Sequence, residues 1–84
     1  MRNYYLICRS VTYAQRTAKV LERSGISALV SRTPKEIAPE GCSYSVRVPE
    51  WRMGDALVAL RASDMPPARV YSQFEDGSFY EVRQ

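Results

Sequence analysis

The apolar pattern of this 84-residue chain predicts an α+β sandwich, an antiparallel sheet with two helices on one face. Three observations carry that expectation. Alternation with a period of two over residues 42–48 marks a strand with one apolar side. Three- and four-residue spacing over 12–24 and again over 50–62 marks two amphipathic helices. Short apolar runs before, between and after these segments supply the other strands.

Tyr4-Tyr5-Leu6-Ile7-Cys8 reads as the first strand. Tyr5 and Ile7 share one face and Tyr4, Leu6 and Cys8 the other, and the sequence leaves open which is inward. Thr12 and Gln15 have the spacing of a capping box, with Val11 ahead as a hydrophobic staple, so the first helix is expected over 12–24. Ala14, Ala18 and Leu21 form its buried stripe, and Gly25 stands where a left-handed C-terminal cap belongs. Ser27 to Arg32 follows as a second strand. Thr33 to Gly41 contains Pro34, Pro39 and Gly41 and must be a loop, because proline lacks an amide donor and cannot occupy a central strand.

Cys42, Tyr44, Val46 and Val48 then alternate with Ser43, Ser45 and Arg47, which gives the third strand an apolar and a polar face. Pro49 suits the start of the second helix, and Met53, Ala56, Leu57 and Leu60 set its inner stripe. Trp51 lies outside that stripe and reads as a cap over the core edge or as an anchor for a partner. After Pro66-Pro67, the runs 68–74 and 79–82 flank Glu75-Asp76-Gly77-Ser78, the signature of a C-terminal hairpin. The order strand, helix, strand, strand, helix, strand is that of the ferredoxin-like βαββαβ fold, here with an added hairpin strand. In that topology the end of the first strand lies near the beginning of the third, which would bring Cys8 towards Cys42.

Composition narrows the function classes. A chain of 84 residues is expected to form one domain over 1–84, with no second core. Histidine is absent, which excludes imidazole bases and histidine metal ligands. The two cysteines, Cys8 and Cys42, are too few for a zinc or iron–sulfur site and too far apart for a CxxC redox pair. No metal or other cofactor is expected. A secreted domain of this size would commonly carry several disulfides, and no signal peptide or membrane span is evident, so a reducing cytoplasm is the expected location. Twelve cations against nine anions, a net charge of +3, permit contact with an anion or nucleic acid without requiring it.

The run Pro34-Lys35-Glu36-Ile37 followed by Cys42 resembles the selenium/sulfur carrier-like family. The likeness extends over nearly the whole chain, through the Tyr-Tyr-Leu-Ile opening strand, a first helix ending at a glycine, the Pro-Lys-Glu-Ile loop, the cysteine, an apolar strand and a second amphipathic helix. Members typically place a glycine straight after the cysteine, whereas here Gly41 precedes it and Ser43 follows. The resemblance implies that Cys42 is the family's thiol and that the chain carries sulfur or selenium between a donor and an acceptor protein, without turnover of its own.

A carrier thiol must ionise and be reachable. Arg32, Lys35 and Arg47 are the cations near Cys42 in sequence that could stabilise its thiolate or bind an anion. Cys8 could act as a resolving thiol if it neighbours Cys42. The plainer reading makes both cysteines small hydrophobes, Cys42 on the face it shares with Tyr44, Val46 and Val48. Two other functions fit the fold. An oligomerising module would pair the helix-free face of its sheet with a second copy, as a homodimer. An RNA-binding module would stack bases on Tyr4, Tyr5, Tyr44 and Tyr71, but the third strand supplies one aromatic where such sheets use three, so nucleic acid is the less favoured partner. No membrane partner is expected.

Overall fold

The computed structural model describes residues 2–38 and 43–82. Strand β1 (Asn3–Cys8), helix α1 (Val11–Arg23), strands β2 (Leu29–Arg32) and β3 (Tyr44–Pro49), helix α2 (Met53–Ala62), and strands β4 (Arg69–Gln73) and β5 (Phe79–Val82) follow in that order. The sheet order is β2-β3-β1-β4-β5, and every pairing is antiparallel. This is the expected ferredoxin-like sandwich, and β5 is the added hairpin strand beside β4.

The register settles which face of β1 is inward. Leu6 opposes Val46 on one side and Val70 on the other. With Cys8 and Val48, these residues join Ala14, Ala18 and Leu21 of α1 and Met53, Ala56 and Leu60 of α2 in a single buried cluster. Both helices therefore cover the Tyr4–Leu6–Cys8 face. Tyr5 lies on the other face yet is only 8% exposed. Phe79 packs edge-on against its ring with centroids 5.4 Å apart, and its hydroxyl donates to Gln73 at 3.1 Å.

Helix α1 starts earlier than the Thr12–Gln15 pair suggested. Ser10 is extended and its side chain accepts from the Tyr13 amide, which satisfies a first-turn donor and makes Ser10 the cap. At the other end the expected glycine cap is present. Gly25 has φ +76°, its amide donates to Glu22 and the Ile26 amide to Leu21, the paired bonds of a Schellman motif. Helix α2 ends with the same pair of bonds, Asp64 to Arg61 and Met65 to Leu60, but with Asp64 at φ 55°. Its beginning also differs from expectation, since Glu50–Arg52 forms a 3-10 turn ahead of Met53.

Three side chains correct the sequence reading. Ser45, assigned to a polar solvent face, is fully buried, and Thr17 is a buried member of the α1 stripe. Trp51 does not cap the core, being 69% exposed with the Arg52 guanidinium 5.2 Å from its ring centre. Strand β2 begins at Leu29, opposite Arg47, rather than at Ser27.

Candidate functional site

The loop from Thr33 onward is held at its base by two features. Arg32 pairs with Tyr44 as the last register position of β2 and β3, and beyond it the Thr33 amide donates to the Ser43 carbonyl at 3.1 Å. Between them, Pro34 to Ala38 turns back on itself, with the Ile37 and Ala38 amides both donating to Pro34. Among the described residues, the Thr33 and Ser43 hydroxyl oxygens are buried there without a hydrogen-bond partner. Cys42, the expected carrier thiol, lies outside the described residues, as do Pro39, Glu40 and Gly41.

Cys8 ends β1 directly opposite Tyr44, the first residue of β3, so the end of the first strand does meet the beginning of the third. Its side chain is packed and only 1% exposed, and its thiol donates to the Leu6 carbonyl at 3.7 Å. Burial pushes the thiol's pKa up, because the thiolate would lose its hydration, and the nearby Thr17 hydroxyl opposes this more weakly. Among the described residues, Thr17 Oγ1 completes no hydrogen bond to the sulfur or to any other group. Such a thiol is a poor nucleophile.

The three candidate cations are not gathered together. The Arg32 guanidinium stands 5.9 Å from the centre of the Tyr44 ring, and Lys35 is exposed in the turn after Pro34. Arg47 is exposed on the helix-free face, opposite Tyr5 on one side and Leu29 on the other. That is three residues, or roughly 10 Å, along β3 from Tyr44 and on its reverse side. The four tyrosines of the base-stacking reading are also divided. Tyr4 and Tyr44 pack against the core beneath the helices, while Tyr5 and Tyr71 oppose one another on the other face.

A cleft of about 530 Å³ opens at the end of β1, lined by Ile7, Cys8, Arg9, Tyr13 and the segment Pro66-Pro67-Ala68. Two bonds tie its walls together, Tyr13 hydroxyl to the Pro66 carbonyl at 3.4 Å and the Ala68 amide to Ile7 at 3.3 Å. The sequence registered Pro66-Pro67 only as punctuation and Tyr13 not at all. Their convergence depends on β4 lying beside β1, which no local pattern reports. Among the described residues no group of three or more metal-ligating acids or cysteines comes together, and no helix is long and apolar enough to cross a membrane.

One family profile, described as Putative Se/S carrier protein-like, matches residues 3–72. The chain belongs to this family. The match runs from β1 into β4 and includes both cysteines and the Pro-Lys-Glu-Ile loop, so the Se/S carrier-like unit is the four-stranded core with its two helices, and the whole of β5 (Phe79–Val82) lies beyond it. No curated protein and no solved structure matches the chain.

Proposed function

We propose that this chain is a stoichiometric sulfur or selenium carrier that holds its cargo on Cys42. Membership of the Se/S carrier-like family supplies the class of function, and the match includes Cys42. The observation that carries the choice of residue is the state of the other thiol. Cys8 is buried, 1% exposed, with its pKa raised, which favours Cys42 as the thiol for transfer chemistry.

The step needs no external oxidant. The Cys42 thiolate attacks the outer sulfur of a donor protein's persulfide, a bond forms between the two sulfurs, and the donor's own S–S bond breaks. The donor thiolate leaves with the electron pair, and Cys42 holds the persulfide. Delivery repeats the exchange, with an acceptor nucleophile attacking the outer atom and Cys42 leaving as thiolate. A selenium atom in the outer position follows the same path. Arg32 and Lys35, at the loop-side end of the sheet, are the cations this reading assigns to favouring the thiolate.

The test is intact-mass analysis of the reduced protein after incubation with a persulfide donor such as a cysteine desulfurase and its substrate. A reductant-labile adduct of one sulfur atom is expected on the native chain and on Cys8→Ser but not on Cys42→Ser. An adduct that persists in Cys42→Ser, or none on any of the three, overturns the proposal.

A further inference from the structure

Helix α2 is apolar nearly all round, since only Asp55 and Arg61 of its residues are charged. Met53, Ala56 and Leu60 face the core. On the opposite side, at helical spacing, Gly54, Asp55, Val58, Arg61 and Ala62 are all exposed. Val58, at the centre of that side, is 67% exposed. A surface helix ordinarily turns polar residues to water, so a bare valine there adds nothing to this chain's own core. Trp51, 69% exposed, widens the apolar surface just ahead of the helix.

The order of residues on this face is self-complementary. Three positions before Val58 stands Asp55 and three after it Arg61; four before stands Gly54 and four after it Ala62. Two copies of α2 laid antiparallel about a two-fold axis at Val58 would set each Asp55 against the other copy's Arg61, and glycine against alanine. Symmetry repeats each contact. A Cβ added at Gly54 would meet nothing within 4 Å, so a neighbouring backbone can approach closely there. Asp55 makes only an outlying contact, 3.6 Å to Arg52 with its side chain 72% exposed, and Arg61 has no ion-pair partner among the described residues.

We propose that a second copy of this chain docks on the outer face of α2, as an antiparallel two-fold helix pair centred on Val58 and registered by Asp55–Arg61 ion pairs across the axis. This stands independently of the carrier reading, because α2's outer face contains neither cysteine.

Sedimentation of the full chain over a dilution series tests it. The native chain should show a concentration-dependent dimer, and Val58→Glu, which sets two carboxylates on the axis, should weaken it at least about tenfold. Monomer thermal stability should be unchanged, since Val58 is mostly in water. Asp55→Arg and Arg61→Asp should each weaken the dimer, and the double reversal should restore it, because only the paired geometry rescues one charge with the other. A monomer at every concentration, a dimer indifferent to Val58→Glu, or a double reversal no better than its parents overturns the proposal. So does a dimer broken instead by Tyr71→Glu on the helix-free sheet face.

Discussion

Replacing Cys42 with serine leaves Cys8 as the chain's single thiol, and its alkylation rate then reports how often the middle of the sheet opens. Strand β1 is hydrogen-bonded on both sides, to β3 and to β4, and Cys8 is 1% exposed beneath α1. Cys8 borders the cleft at the end of β1 with almost no accessible surface, and the β4 pairing stops at Ile7. A reagent therefore reaches the sulfur when that end of the strand parts from the helix, an opening whose cost has global unfolding as its ceiling. For 84 residues at roughly 0.05–0.15 kcal/mol per residue, global unfolding costs about 4–13 kcal/mol. At about 1.4 kcal/mol per decade, opening at that ceiling suppresses the accessible population by at least about a thousandfold. The raised pKa slows the folded thiol further. The assay is the pseudo-first-order rate with a neutral haloacetamide, read by intact mass, in buffer and in denaturant at one pH. A folded rate well over tenfold below the denatured rate is expected, reaching about a thousandfold where the strand end opens only with the whole sheet. A ratio within tenfold would refute the burial argument, and with it the assignment of carrier chemistry away from Cys8.

The same thiol predicts a pH dependence. Because burial raises its pKa in the folded state, its contribution to stability is complete below the unfolded thiol's value of about 8.5 and is lost as pH rises from there through the folded value. The urea midpoint should therefore fall more steeply above about pH 8.5 in the native sequence than in Cys8→Ala, and equal slopes would remove the claim. The two helix ends predict opposite signs for one kind of change. Gly25→Ala forces a Cβ into φ +76° with no neighbour within 4 Å to blame, so it should cost about 1–2 kcal/mol from backbone geometry alone, a drop of roughly 4–16 °C in melting temperature. Asp64→Gly should hold or raise the melting temperature. It relieves a side chain at φ 55° and removes an anion from a helix C-terminus, although glycine's unfolded-state entropy offsets part of the gain.

Most of the fold was legible because period and punctuation agree in this chain. The alternation through Val46 and Val48, the Ala14–Ala18–Leu21 stripe and the Glu75–Ser78 turn each specify an element without help from distant residues. The errors fall where two local signals compete or where none exists. Ser10 and Thr12 are both acceptable caps, and the choice goes to the residue that is extended and reaches the Tyr13 amide at 3.1 Å. The end of α2 carries no glycine, so its left-handed cap at Asp64 has no sequence signature. Ser45 looked polar and solvated because strand parity assigns a face but not what covers it. For the site, the cysteine and its loop were visible through their likeness to a family, whereas the cleft at the end of β1 depends on β4 packing beside it, a long-range fact.

Strand β5 changes what the outer surface can do. A four-stranded ferredoxin-like sheet leaves one face open, and the central-strand aromatic on that face is Tyr5, the residue a base-stacking function would need. By adding Phe79 beside β4, the hairpin folds an aromatic edge over the Tyr5 ring and leaves Tyr5 only 8% exposed. The ring that would stack on a base is spent on the protein's own packing. Among the described residues, the most exposed large apolar side chains are then Trp51 and Val58, on the helix side of the sandwich. Docking energy comes from apolar area still in water before association, so a partner gains more on the outer face of α2 than on the sheet. Deleting 79–84 should re-expose Tyr5 and make the sheet face sticky, while leaving an α2-centred dimer intact. Loss of the dimer on that deletion, with the chain still folded by circular dichroism, would return the interface to the sheet.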